Sequence, residues 1–499
     1  MMHMQFDKNT VQCLRCVLHE VKDHEETQEL RLEDGMPDIG EILGCWGQAF
    51  LRGKEWRPGG ISVNGGINAW VLYKSEDEGE ICSVETCIPY QFKCEFAENE
   101  IDGGISIQPF LRSMDARMIS SRKIMLRGDM SVLCEAMVDS QIHCSTPPSM
   151  PEDLMVLEET FEPLLPKEMN EKAFMVDDAV AFPHSVDRIN KIIYYQLCPY
   201  VTDYKLMTDK IIFRGQSRLH ALYMDTEGQL HTWDEEFPFS QFAELGREYA
   251  DGAIARIVMA TTSTTLEKDD GNYRLRAGIT GQFLIFDHDK ITIVKDAYSP
   301  NRTVNVTTEE LLIPGVLDVQ QPSVTAECKL SNDVNDVVDS ILCPAHPKAY
   351  KDGEKVSTEY SGEFRTLCRG LDGELSSQCV PFSKEVTDFS DTTARSIAIV
   401  SDWTIPLVMT SGGSLVLKSD MDCNCMWIAN RPVNMVTELD FDDYMPSTDD
   451  SPSLILRKAG DDTLWEVAKK YGSSVAKILD VNNLQGEPDA DRMLIIPIQ

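Results

Sequence analysis

Apolar and polar residues alternate with a period of two in three separate stretches of this chain, the mark of strands with one buried face. The stretches share a layout. Ile61-x-Val63-x-Gly65 precedes Leu72-Tyr73, Ile211-x-Phe213-x-Gly215 precedes Leu222-Tyr223, and Val356-x-Thr358-x-Tyr360 precedes Leu367-Cys368, at the same distance each time. Each stretch predicts a strand pair. Glycine inside a strand points to a bulge or a close backbone approach, although Tyr360 stands at that place in the third copy. After an acidic, Gly-containing turn the copies continue into Ile88-Pro89-Tyr90, Phe237-Pro238-Phe239 and Val380-Pro381-Phe382. Proline donates nothing to a ladder, so this strand should be an edge or begin at the proline. Ala116-Arg117, Ala255-Arg256 and Ala394-Arg395 follow at equal steps, and a last strand carries Leu126-Arg127, Leu275-Arg276 or Leu417-Lys418. Four anchors in one order, three times over, predict a repeat.

The final stretch has a different period. Ser453–Arg457 is a short apolar run that reads as a strand. Thr463 and Glu466 have capping-box spacing, and Leu464, Val467, Ala468 and Tyr471 line one helical face that ends at Gly472. Ser474 caps a second helix, with Val475, Ile478 and Leu479 inward, which ends at Asn482-Asn483. Met493–Ile496 returns as a strand that stops at Pro497. The predicted order is strand, helix, helix, strand.

The fold class that follows is mainly β: three β-rich repeat domains and a small α+β (βααβ) module. The expected divisions are a first repeat over 1–145, a Pro-rich acidic linker over 146–169, a second repeat over 170–313 and a third over 314–437. Ile313-Pro314-Gly315 marks the second boundary. Residues 438–452 are an acidic linker before the module at 453–499. Its Glu438–Asp450 portion has six carboxylates and no basic residue, and so predicts an extended, solvated tether that lets the module reach a partner.

Charge narrows the partners. With 46 basic and 82 acidic residues the net charge is −36, which repels nucleic acid and anionic membrane and suits a basic partner or a soluble scaffold. The start lacks the basic region and apolar core of a signal peptide, and no run nears the ~18 apolar residues of a membrane span. Fifteen scattered Cys, an odd number, are expected to be reduced, and the chain to be cytosolic.

No P-loop, H-E-x-x-H or G-x-S-x-G motif occurs. His19 and His24 are spaced wrongly for one helical face. Cys13-x-x-Cys16 and Cys423-x-Cys425 could form a four-Cys zinc site only by meeting in space, and the second pair alternates along a strand. Asn301 and Asn305 match glycosylation acceptors by pattern alone. Carboxylates follow loops and linkers, and none stands in an evidently apolar setting that would shift its pKa. No catalytic residue, metal or cofactor is expected.

The turn Gly460-Asp461-Asp462-Thr463-Leu464-Trp465, the Ala468-x-x-Tyr471 of the first helix, the loop Asn482-Asn483-Leu484 and the closing Leu494-Ile495-Ile496-Pro497 resemble a LysM module. The doubled acid Asp461-Asp462 departs from the family's usual single Asp. Three β-rich repeats ahead of a LysM resemble the clostridial spore-coat morphogenetic proteins of the SipL type, the repeats looking like SPOCS domains over roughly residues 30–440. The related SpoVID type has fewer clear repeats. The resemblance implies a non-enzymatic scaffold or adaptor of spore-coat assembly, in the mother-cell cytoplasm at the forespore surface. It would dock through its LysM to the SpoIVA-type basement-layer ATPase and serve other coat proteins, with no nucleic acid and no membrane insertion. It places the binding residues in the two LysM loops, Asp461, Asp462, Thr463 and Leu464 with Asn482, Asn483 and Leu484. The alternative is a peptidoglycan-binding protein holding N-acetylglucosamine chains between those loops. A LysM-targeted enzyme is a third class, disfavoured by repeats that fill the rest of the chain.

Overall fold

The computed structural model describes residues 2–77, 79–96, 102–146, 150–183, 188–269, 271–352, 355–389, 394–442 and 453–498. Among them, β1 (Met2–Gln5) leads into a first unit of β2 (Asp7–Arg31), β3 (Ile39–Arg57), β4 (Gly60–Ser75), β5 (Ile81–Glu95), β6 (Gly104–Ser120) and β7 (Lys123–Thr146). They form two antiparallel sheets, ordered β3-β4-β5 and β2-β7-β6. After β8 (Met155–Phe161) the plan returns in β9 (Leu164–Val180), β10 (Ile189–Leu206), β11 (Lys210–Asp225), β12 (Leu230–Glu244), β13 (Ile254–Asp269) and β14 (Asn272–His288), as sheets β10-β11-β12 and β9-β14-β13. β15 (Ile291–Tyr298) pairs with β8, and β16 (Val304–Gln320) leads to the third unit. That unit holds β17 (Ser323–Lys329), β18 (Val334–Pro344), β19 (Lys348–Asp352), β20 (Lys355–Gly370), β21 (Leu375–Phe389), β22 (Arg395–Trp403), β23 (Leu407–Ser411) and β24 (Ser414–Phe441). Its sheets are β18-β20-β21, with β19 also on β20, and β17-β24-β22, with β23 carrying the β22 edge onward along β24. The far end of β24 pairs with β1 and β16. The chain closes with β25 (Leu454–Lys458), α1 (Leu464–Tyr471), α2 (Val475–Asn482) and β26 (Met493–Pro497).

Local chemistry explains the shared plan. The first anchor is one long strand in each unit (β4, β11, β20) and not a strand pair, because no turn residue interrupts its alternation. The proline-bearing strands β5, β12 and β21 each pair with a single neighbour among the described residues, as an absent N–H requires. The aromatic after each proline lies across from a glycine, Tyr90 from Gly65, Phe239 from Gly215 and Phe382 from Gly362. In the third unit that glycine has moved two places beyond Tyr360, a step that keeps the same face inward. The strand before each central one carries two bulges near its start, at Ile39 and Ile42, Ile189 and Ile192, Val334 and Val337. Bulges coil a strand, and these turn each sheet over the other.

The Ala-Arg anchor needs correction. Arg256 and Arg395 stand at the same distance before a bulge, at Thr261 and Val400, but in the first unit the bulge at Leu111 gives that place to Ser106. Ala116-Arg117 lies further along β6, and a dipeptide is too short to hold an alignment.

The units close head to tail. β3 packs on β13, β10 on β22 and β18 on β6, so the second strand of each unit meets the fifth strand of the next. One apolar core is accordingly shared: Trp46 and Trp70 of the first unit pack with Tyr194, Tyr195 and Phe213 of the second and with Ile341 and Leu367 of the third. Trp46 stacks on Tyr194 with centroids 4.8 Å apart. Where the units converge, Gln48, Gln108, Leu197, Met259, Cys343 and Ser401 line one small void.

Segments read as connectors carry structure. Met155–Phe161 and the start of Leu164–Val180, inside the expected linker, are strands, and Ile313-Pro314-Gly315 lies within β16, paired to β24. Glu438–Phe441 is the paired end of β24, and residues 443–452 of the expected tether lie outside the described residues.

Candidate functional site

The terminal module forms as its sequence signals require. The Thr463 hydroxyl accepts from the Glu466 N–H while the Glu466 carboxylate accepts from the Thr463 N–H, a complete capping box, and Gly472 ends α1 in the left-handed region at φ 63°. Leu464, Val467, Ala468, Ile478, Leu494 and Ile496 make its core.

The first expected binding loop is tied to residues 487–492, which follow the second, by structural bonds. The turn after β25 is tied to the loop before β26 by Ala459 N–H to Arg492 O and Gly460 N–H to Ala490 O, each 2.8 Å. The Leu464 N–H donates to the Glu487 carboxylate at 2.9 Å, so an internal anion holds the start of α1. The residues expected to bind are largely committed. Leu464 is core, Thr463 is a cap, and Leu484 is half-buried against the core. The Asn482 amide pairs with both the N–H and the C=O of Ile495 and so ties α2 to β26. Asn483 is the left-handed C-cap at φ 49°, the single positive-φ non-glycine among the described residues. Asp462 pairs with Arg457 at 2.8 Å, and Asp461 is exposed.

Sequence reasoning missed two features here. First, the module is seated on the body and does not hang free from it. Tyr298 of β15 lies in the module's own core, donates its hydroxyl to Ser473 O at 2.9 Å and meets the Trp465 ring edge-on at 4.8 Å. Asp296 accepts from Trp465 Nε1 at 2.8 Å and pairs with Lys469 at 2.7 Å. Second, the outer face of the β25–β26 sheet is apolar apart from Lys458 at one end, across from Met493. Leu454 is 60%, Leu456 66%, Met493 51% and Ile495 37% exposed, with Leu456 directly across from Ile495. Both strands were read as apolar runs, and that signal was present in Leu-Ile-Leu and Met-Leu-Ile-Ile, which leave no polar face.

The body holds buried charge that the sequence reading did not foresee. Glu135 of β7 is fully buried; burial opposes its ionisation, but Arg256 of β13 and His19 of β2 prevail and hold its carboxyl at about 2. Arg256 belongs to the next unit, so this burial arises only on closure. His220 is buried between Asp339 at 2.8 Å and Asp234 at 2.6 Å; burial lowers its pKa, and the two carboxylates raise it to about 10. Tyr194 also donates to Asp339. The Glu135–Arg256 and His220–Asp339 pairs span joints between units, and the charges face one another, as structural ion pairs do. A cleft of about 910 Å³ opens between the second and third units, but Arg256 and Asp402 on its wall are already paired with Glu135 and Arg218.

Cys13 and the pair Cys423 and Cys425 lie in different cores. Among the described residues no group of three His, Cys, Asp or Glu side chains is placed to hold a metal ion, and no helix is long and apolar enough to cross a membrane.

Residues 188–267, which span β10 to β13, match the family model described as SipL, SPOCS domain, and residues 458–497 match that of the LysM domain. This is the combination implied by the resemblance read from sequence. Both are non-catalytic domain families, and together they support a sporulation coat-associated protein with a LysM module. LysM domains generally bind glycans such as the N-acetylglucosamine chains of peptidoglycan. No curated protein and no solved structure matches the chain.

Proposed function

We propose that this chain is a non-enzymatic scaffold of spore-coat assembly, working in the mother-cell cytoplasm at the forespore surface, and that its LysM docks on the SpoIVA-type basement-layer ATPase. The first and third units are SPOCS domains in this reading, because their strands follow the plan of the matched second unit. Other coat proteins are the partners of the ring.

The observation that carries the docking is the bare apolar sheet face of Leu454, Leu456, Met493 and Ile495. Strands apolar on both faces suit a position covered on both. The helices cover one face here, and a protein partner covers the other. The inter-loop groove is a poorer support for glycan binding, since the polar groups of Asn482 and Asp462 and the Leu464 N–H already have partners.

The test is capture of the purified ATPase by immobilised full-length chain, with and without N-acetylglucosamine oligosaccharide as competitor. Capture that the sugar does not displace is expected. Failure to capture, with tight sugar binding instead, would establish the glycan reading.

A further inference from the structure

Comparison of equivalent edges singles out β23. The fifth strand is an edge of its sheet in every unit, and its outer half runs beyond the bulge toward a hairpin. In the first unit that half reads Ser113–Ser120 and includes Asp115 and Arg117; in the second it reads Ser263–Asp269 and includes Glu267, Lys268 and Asp269. Both halves also turn a side chain inward, since Met114 and Leu266 are buried.

The third unit differs. Thr404-Ile405-Pro406 breaks the strand, and the outer half resumes as Leu407-Val408-Met409-Thr410-Ser411, in which every residue is exposed and none is charged. Leu407 is 69% exposed. A tight Gly412-Gly413 turn, both at positive φ, joins it to β24. β23 pairs with β24 alone among the described residues. The proline-bearing edges are blunted by the usual devices, with Pro89 and Lys93 on β5, Pro238 and Glu236 on β12, and Pro381 and Lys384 on β21.

We infer that β23 is a strand-addition edge and that its occupant is β23 of a second copy of this chain, paired antiparallel about a twofold axis. Charge selects the occupant. A basic partner drawn to a chain of net charge −36 would be held by carboxylates, and β23 offers none. Two such chains repel over most of their surfaces, and an uncharged strip lets them approach. A strand of this length covers far less than the ~1,200 Å² of a stable interface, so the dimer is weak, with Kd on the order of 10–100 µM. Added salt screens the repulsion and tightens it.

In a two-residue hairpin the residues flanking the turn exchange both ladder bonds, so Ser411, Met409 and Leu407 bond to β24 while Thr410 and Val408 turn their N–H and C=O outward. Thr410→Pro and Val408→Lys therefore block the outer edge and spare the inner ladder.

Sedimentation of the full chain from about 1 to about 200 µM tests the inference. The wild type should pass from monomer to dimer, both variants should associate at least tenfold more weakly with unchanged melting, and Leu371→Lys, at an exposed site elsewhere, should behave as wild type. A wild type that stays monomeric throughout, or dimers that persist in both blocked variants, would overturn it.

Discussion

Asp339 shows how single residues hold this molecule together. It is buried on β18 of the third unit, yet its partners His220 and Tyr194 belong to the second. Asp339→Ala would leave the His220 cation buried opposite one remaining carboxylate and should cost about 3–5 kcal/mol of stability, read from chemical denaturation. The same pair sets a pH window. His220 titrates at about 10 when folded against an ordinary 6.5, so its contribution is complete below pH 6.5 and lost as pH rises toward 10. Melting temperature should fall across that interval, and the fall should be absent in His220→Gln. None of this was legible in sequence, because nothing along β11 announces that His220 faces a carboxylate from another unit. Asn483 was legible as a helix end, and its left-handed backbone is the one asparagine tolerates in place of glycine.

The elements were more legible than the residues. Period-2 alternation located β4, β11 and β20, and proline placed β5, β12 and β21 at edges, since both signals are local. The capping box and left-handed stop located α1 for the same reason. Bulges were not legible, having no residue signature of their own, and the Ala-Arg alignment failed there. The cross-strand glycine is a testable part of the element plan. A Cβ at Gly215 would lie 2.0 Å from Tyr200 O and 2.5 Å from the Phe239 ring. Gly215→Ala should therefore destabilise by about 1–3 kcal/mol, and by more if the strands cannot separate. A melting curve that matches wild type would show that the sheet is looser than this packing implies.

At the scale of the whole molecule the three units form one body. Head-to-tail closure puts Trp46, Tyr194 and Ile341 of three units into one core and places the Glu135–Arg256 pair across a joint. A fragment ending at residue 320 would lose the partners of β16 and of the shared core, and should show no cooperative unfolding transition, whereas the intact ring should unfold in one. Repetition was readable from the anchors; closure was not, since it depends on how sheets face one another.

The LysM sits on this body through Tyr298, Trp465 and Asp296, with its apolar sheet face turned outward. That face carries the functional account, and one measurement addresses it directly: the affinity of the full chain for the basement-layer ATPase, wild type against a Leu456→Asp, Ile495→Asp double variant shown to melt normally. Loss of a paired apolar anchor at the centre of an interface predicts at least ~100-fold weaker binding, about 3 kcal/mol. Equal affinity in the double variant would contradict docking through this face.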